Sequence, residues 1–201
     1  LGEKTMQAAT LTEQQLKRLM AYIATQRHAV RNRALVLMTY YSGTRVGEVA
    51  ALKVSDVLGS DGKIKDEIRL TAKQTKGNKG RIVVIPAKLK AEILNYLKSR
   101  FIKTDLADLL PAQTRLHLFY TQKRTGFSAN TLTQYFHKLY KDAGISGASS
   151  HSGRRTFITN LANKGISVHI LMSLCGHKNL ATTQRYIDCN DGMLRAAVEL
   201  I

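Results

Sequence analysis

Two short runs rich in Ile and Val, residues 64–71 and 81–85, interrupt a chain whose other apolar residues recur at helical spacing. Between them, residues 73–80 carry Gly77 and Gly80 among Lys73, Lys76 and Lys79. β-Branched runs joined by so short and glycine-bearing a segment read as a β-hairpin with a basic tip. The flanks read as helices. Thr12 with Gln15 makes a capping-box pattern ahead of Leu16, Leu19, Met20 and Ile23. Residues 30–41 predict a second helix that breaks at Ser42-Gly43-Thr44, and a third begins near Arg45 with Val46, Val49 and Leu52 on one face. Pro86 ends the second run, and the stripe Leu89, Ile93, Leu94 and Leu97 marks the helix after it. Residues 101–127 are poorly patterned, with a short strand expected at 116–120. Leu132, Tyr135, Phe136 and Leu139 then predict a helix that stops at Gly144. Further helices are expected over 153–163, 167–174, 181–187 and 192–200. The fold class is therefore α+β, one mainly α-helical domain with a small antiparallel β-sheet.

The charge is one-sided. With 31 Lys and Arg against 14 Asp and Glu among 201 residues, the net charge is +17. Such an excess calls for a polyanion, and nucleic acid fits best, because each neutralised phosphate releases condensed counterions. An anionic membrane surface is the rival, but the basic residues are spread along the chain and not gathered on one amphipathic helix. Ribosomal and histone-like packing proteins are equally basic, so charge alone does not speak of catalysis. Cys175 and Cys189 make neither a disulfide framework nor a zinc-ligand spacing, which points to a reducing, cytoplasmic setting. No apolar run approaches the ~18 residues of a membrane span, and no signal peptide is legible.

Four segments stand out together. They are Ser42-Gly43-Thr44-Arg45-Val46-Gly47-Glu48, Thr75-Lys76-Gly77-Asn78-Lys79-Gly80-Arg81, His151-Ser152-Gly153-Arg154-Arg155-Thr156-Phe157, and Leu174-Cys175-Gly176-His177 leading to Thr182-Thr183-Gln184-Arg185-Tyr186. Here the chain resembles the tyrosine recombinase, or phage integrase, family. That family has an arginine in a Gly-x-Arg-x-x-Glu box, a lysine on a hairpin tip, a His-x-x-Arg box, a Leu-x-Gly-His box and a tyrosine nine residues beyond that histidine. All five elements occur here in the family's order, and the resemblance covers nearly the whole chain. It implies the tyrosine recombinase catalytic fold and a site-specific recombinase or integrase that cuts and rejoins DNA through a covalent 3′-phosphotyrosyl link at Tyr186.

The chemistry accounts for the residue types. Cleaving a phosphodiester builds negative charge on the non-bridging oxygens, and a planar, permanently charged guanidinium meets it with paired hydrogen bonds. Arg45 and Arg154 are the expected phosphate clamp. Glu48, three residues after Arg45, shares its helix face, and the resemblance gives it the role of holding that guanidinium. A phenol with a pKa near 10 attacks well only when its proton is removed or the surrounding field is strongly positive, as it would be for Tyr186 beside the clamp. The resemblance implies that His177 donates a hydrogen bond to the phosphate and that His151 assists proton movement at the nucleophile. It places the general acid at Lys76, with Lys79 on the same tip left open as the alternative. Lys73, Lys79, Arg81 and Arg155 are expected on the DNA backbone, whereas His28, His117, His137 and His169 read as structural. No metal and no cofactor are expected, because the phosphotyrosyl bond conserves the energy of the broken one. Gly153 departs from the bulky Leu usual between the boxed histidine and arginine, which predicts a missing apolar anchor beneath Arg154 and a loosened helix start.

Family members usually close two domains around the duplex, so residues 1–10 are expected to be a linker remnant and 11–201 the catalytic domain, without the N-terminal core-binding domain. The chain opens on Leu1, in keeping with that expectation. The apolar C-terminal segment with Met193, Leu194, Ala197, Val198 and Ile201 is expected to support assembly into a tetramer on double-stranded DNA. The competing readings are a type IB topoisomerase or telomere resolvase, and a sequence-specific DNA-binding protein that has kept the fold without catalysis. A decayed enzyme should have lost a member of the boxed set, and none is lost here.

Overall fold

A computed structural model describes residues 8–75, 79–123, 125–177, 179–184, 186 and 198–199. Helix α1 (Glu13–Ala24) starts where the capping box places it: Thr12 Oγ1 accepts the Gln15 amide at 3.1 Å and Gln15 Oε1 accepts the Thr12 amide at 2.9 Å. Helix α2 (Ala29–Ser42) is different in kind. Ala34, Leu35, Val36, Leu37 and Met38 are buried in succession. A helix apolar all round is stable only when surrounded, and α2 packs against α1, α5 (Ala87–Arg100) and α8 (Ser152–Asn163). It is the central pillar of the core.

Helices α3 (Val46–Ala51) and α4 (Val54–Val57) follow, the second of them not legible in the sequence. Strands β1 (Glu67–Leu70) and β2 (Arg81–Val84) pair antiparallel, with Glu67 opposite Val84 and Leu70 opposite Arg81. Their alternation buries Ile68, Leu70 and Val83 and leaves Ile82 and Val84 outside, as a sheet with one packed face requires. Strand β1 is shorter than the run over 64–71, because Ile64 pairs with Leu58 alone.

The strand expected at 116–120 is absent as a ladder; only single bridges form, between Lys53 and His117 and between Tyr120 and Gly126. Side chains take the carbonyls that a ladder would use. Arg100 donates to the carbonyls of His117 and Leu118 at 2.6 and 2.8 Å, Tyr96 Oη donates to Leu118 at 2.8 Å, and the buried Arg31 donates to Tyr120 at 2.9 Å. Helix α6 (Pro111–Thr114) lies just before this segment.

Helix α7 (Ala129–Asp142), capped by Ser128, packs on α3. Helices α8, α9 (Val168–Cys175) and α10 (Leu180–Gln184) pack in succession, and α9 also meets β2. The helix expected over 192–200 falls outside the described residues except for Val198 and Glu199. Among the described residues no helix is long and apolar enough to cross a membrane.

Candidate active site

The site begins at the end of α2. Gly43 closes that helix in the left-handed conformation, φ 63°, a geometry that favours glycine. Absence of a side chain matters as much: a Cβ there would stand 2.9 Å from Phe157 Cε1. Ser42 and Thr44 tie the turn back to the Met38 carbonyl at 2.6 and 3.1 Å. The turn thus aims the Gly43 carbonyl at α8 and sets Arg45 at the head of α3.

Arg45 is held through Glu48. The Glu48 carboxylate accepts the Arg45 amide at 2.8 Å and Arg45 Nη1 at 3.0 Å. It also accepts Arg81 Nε at 3.1 Å and Nη2 at 2.7 Å. Burial alone would raise the Glu48 pKa, but the Arg81 and Arg45 hydrogen bonds and charges hold it below the usual carboxylate value. One buried carboxylate therefore steadies two guanidinium groups, and Arg45 keeps an exposed side.

Arg154 stands on the first turn of α8 and is buried. Its Nη1 donates to the Gly43 carbonyl, and its Nη2 donates to the Cys175 carbonyl at 2.7 Å and to His177 Nε2 at 2.9 Å. Burial and the Arg45 charge lower its pKa to about 10, which still leaves it charged near pH 7. The gap expected beneath Gly153 does not exist. A Cβ at Gly153 would collide with Thr39 Oγ1, and would lie 3.0 Å from Thr39 Cβ and 3.2 Å from the Tyr40 amide nitrogen. Helix α2 itself fills the place of the missing side chain, so glycine is what lets α8 approach and plant Arg154.

His177 follows Gly176, another left-handed residue that ends α9. Since Arg154 donates to Nε2, the ring proton sits on Nδ1 and is given to Thr183 Oγ1 at 2.9 Å. Burial, then the Arg154, Arg45 and Arg81 charges, lower the His177 pKa to about 4. Tyr186 stacks on this imidazole, centroids 6.2 Å apart, and the Arg155 guanidinium lies 5.4 Å from its ring centre. The phenol ring is thus held by one imidazole and one guanidinium.

The depressed His177 pKa has a consequence for stability. Unfolded, the ring titrates near 6.5, so between pH 6.5 and 4 the unfolded chain binds the proton more readily. Stability linked to this group is whole above pH 6.5 and declines as pH falls toward 4. Because the ring is only half-buried, solvent screening reduces the effect to on the order of 1 kcal/mol, or about 2–4 °C in Tm. His177→Gln should therefore melt with a shallower dependence than wild type between pH 7.5 and 5. His28, also lowered by burial, is common to both proteins and cancels; parallel pH profiles would refute the assignment.

The other expected site residues are distributed as follows. Lys73 and Lys79 are exposed near the hairpin tip, and Lys76 lies outside the described residues. His151 is exposed at the start of α8. Arg155 is turned to the Tyr186 ring. Arg81, expected on the DNA backbone, has its guanidinium directed inward, to Glu48 and to the Leu174 carbonyl at 2.9 Å. Thr183 and the carbonyls of Gly43 and Cys175 belong to the site without having been singled out. Thr183 precedes Tyr186 by three residues, but nothing in its spacing announces a hydroxyl partner for His177.

Comparison with known proteins gives the family and the fold. The family model described as "Phage integrase family" matches residues 9–193. Tyrosine recombinase XerA of Pyrococcus furiosus is 33% identical over 94% of the chain, which spans 60% of that relative's length. A crystal structure of XerA recombinase superposes with a TM-score of 0.71 at 28% identity, covering 98% of this chain and 66% of the other. The Tn1549 transposon integrase bound to transposon right end DNA reaches 0.72 at 19% identity, covering 100% and 68%, a likeness of fold. On the match of the family model over residues 9–193 and of these relatives over nearly its whole length, the chain belongs to the phage integrase, or tyrosine recombinase, family.

Proposed function

We propose that this chain is the catalytic part of a site-specific DNA recombinase. Tyr186 Oη attacks the scissile phosphorus, a Tyr–O–P bond forms, the P–O5′ bond breaks, and the 5′ oxygen takes a proton. The returning 5′ hydroxyl reverses the exchange and frees Tyr186. The observation that carries this reading is the placement of the Tyr186 ring against His177, whose Nε2 is bonded to Arg154. Arg45 and Arg154 would meet the two non-bridging oxygens and stabilise the charge that grows there.

Once a phosphate draws Arg154 Nη2 away, His177 can donate from Nε2 if its proton moves there. The Thr183 hydroxyl permits this, because it can donate to Nδ1 as readily as accept from it. His151 would assist the phenol proton, and Lys76, or else Lys79, would protonate the leaving oxygen. Lys73 and Arg155, with Lys79 where Lys76 is the acid, are the remaining contacts proposed for the DNA backbone. Double-stranded DNA is the proposed substrate, a preceding core-binding domain would complete the grip on it, and the segment beyond Asp191 would link protomers into a tetramer.

The test is a covalent-adduct assay. The protein is incubated with nicked duplexes whose cleavage traps the enzyme, then denatured. A DNA-linked band whose adduct maps to the peptide containing Tyr186 is the expected result. Binding without any such band, in this chain and in one carrying the core-binding domain, would count against a catalytic role. Affinity itself should fall by roughly 10²- to 10³-fold between about 50 and 200 mM salt, as counterion release at several phosphates demands; titration by fluorescence anisotropy checks this, and a flat response would contradict phosphate-dominated binding.

A further inference from the structure

Arg81 bonds to two separate parts of the candidate site, Glu48 and the Leu174 carbonyl, and so faces inward. It opens β2, opposite Leu70, and its side chain is only 9% exposed. A two-pronged ion pair joins it to Glu48, at 3.1 and 2.7 Å. The same carboxylate holds the Arg45 amide and guanidinium. On its other side, Arg81 Nη1 donates at 2.9 Å to the carbonyl of Leu174. The next residue, Cys175, offers its carbonyl to Arg154, and His177 lies two further on. The aliphatic stem is fitted to this turn as well: a Cβ on Gly176 would stand 2.7 Å from Arg81 Cδ. Three chain segments distant in sequence thus meet on one side chain.

We propose that Arg81 is a positioning residue for strand cleavage, locking the Glu48–Arg45 pair to the Leu174–His177 turn so that Arg45, Arg154 and His177 face one phosphate. The proposal rests on the cleavage reading above. It differs from a role at the DNA backbone in what it predicts. A planar fork is needed to serve both Glu48 oxygens and a third acceptor, which a lysine ammonium cannot match. Losing that geometry would shift the clamp slightly, and small misplacements of catalytic groups lower rates by roughly 10- to 100-fold. Affinity would be spared, since no phosphate contact is removed.

The experiment compares wild type with Arg81→Lys. Three quantities are measured: the single-turnover cleavage rate on a nicked duplex at saturating protein, the Kd against salt, and the His177 ring ¹⁵N signals. We expect a rate loss of roughly 10- to 100-fold, a Kd within about twofold and an unchanged salt slope, and displaced His177 signals. A weakened Kd at an unchanged saturated rate would make Arg81 a phosphate contact and overturn the proposal. Unchanged rate and His177 signals would overturn it too. The ring signals need no activity: if wild type forms no adduct but Arg81→Lys moves them, the cleavage reading fails while the link through Arg81 stands.

A second measurement does not depend on the variant folding. Arginine modification of wild type, read by mass spectrometry, should spare Arg81 with and without DNA, because the ion pair already buries it. Ready modification in free protein that DNA suppresses would place Arg81 at the backbone and sink the idea.

Discussion

Tyr186→Phe should abolish the DNA-linked band, a loss of at least about 10³-fold in trapped adduct, with Kd changed by less than about twofold. The two halves of this expectation have separate causes. The hydroxyl is the proposed nucleophile, and phenylalanine has no oxygen to replace it. The ring, in contrast, is held by its faces, stacked on His177 and lying beside the Arg155 guanidinium. Phenylalanine keeps those faces, so the site should keep its shape. Denaturing gels read the adduct, and equilibrium binding reads the affinity. A variant that still formed the adduct would assign the nucleophile to another residue. A large loss of binding would show the phenol to be a principal DNA contact.

Gly153→Leu, which would restore the side chain usual in the family, should destabilise this protein severely. The Leu Cβ would be forced onto Thr39 and the Tyr40 backbone, and α2 cannot yield because it is buried among α1, α5 and α8. Overpacking a tight core costs about 1–3 kcal/mol, occasionally more. With backbone as the obstacle we expect about 3 kcal/mol, a fall in Tm of roughly 6–12 °C for a chain of this size. Gly153→Ala should fall by less, since alanine's helix propensity returns up to about 1 kcal/mol. Calorimetry measures both. Adding Thr39→Ala should recover part of the loss, because the Thr39 Oγ1 obstacle disappears. A Leu variant melting within about 2 °C of wild type would mean that α8 can slide away from α2, and that Gly153 is no spacer.

Much of this molecule was legible in its sequence because the relevant physics is local. The Thr12 and Gln15 caps, the breaks at Gly43 and Gly144 and the pairing of the two Ile- and Val-rich runs depend on neighbours close in sequence. The boxes around Arg45, Arg154 and His177 were legible for another reason: a family resemblance supplies their order, and the charge that the proposed cleavage would build accounts for their residue types. Where neighbours are distant, the sequence was silent or misleading. Residues 116–120 have strand composition, but the side chains of Arg31, Tyr96 and Arg100 claim their carbonyls. Gly153 looked like a missing anchor until α2 was seen to fill its place. Arg81 looked like one more surface cation, since nothing in a linear pattern says that Glu48 and the Leu174 carbonyl wait on its inner side.

The sequence by itself determined most of the helices, the hairpin and the basic surplus, since propensity, periodicity and charge are properties of short segments. Only the tertiary structure decided which guanidinium faces outward and which is buried as a brace, and which nitrogen of His177 carries the proton. Those depend on desolvation and on hydrogen-bond partners that chain folding brings together from separate elements, as with Arg81 and the Leu174 carbonyl.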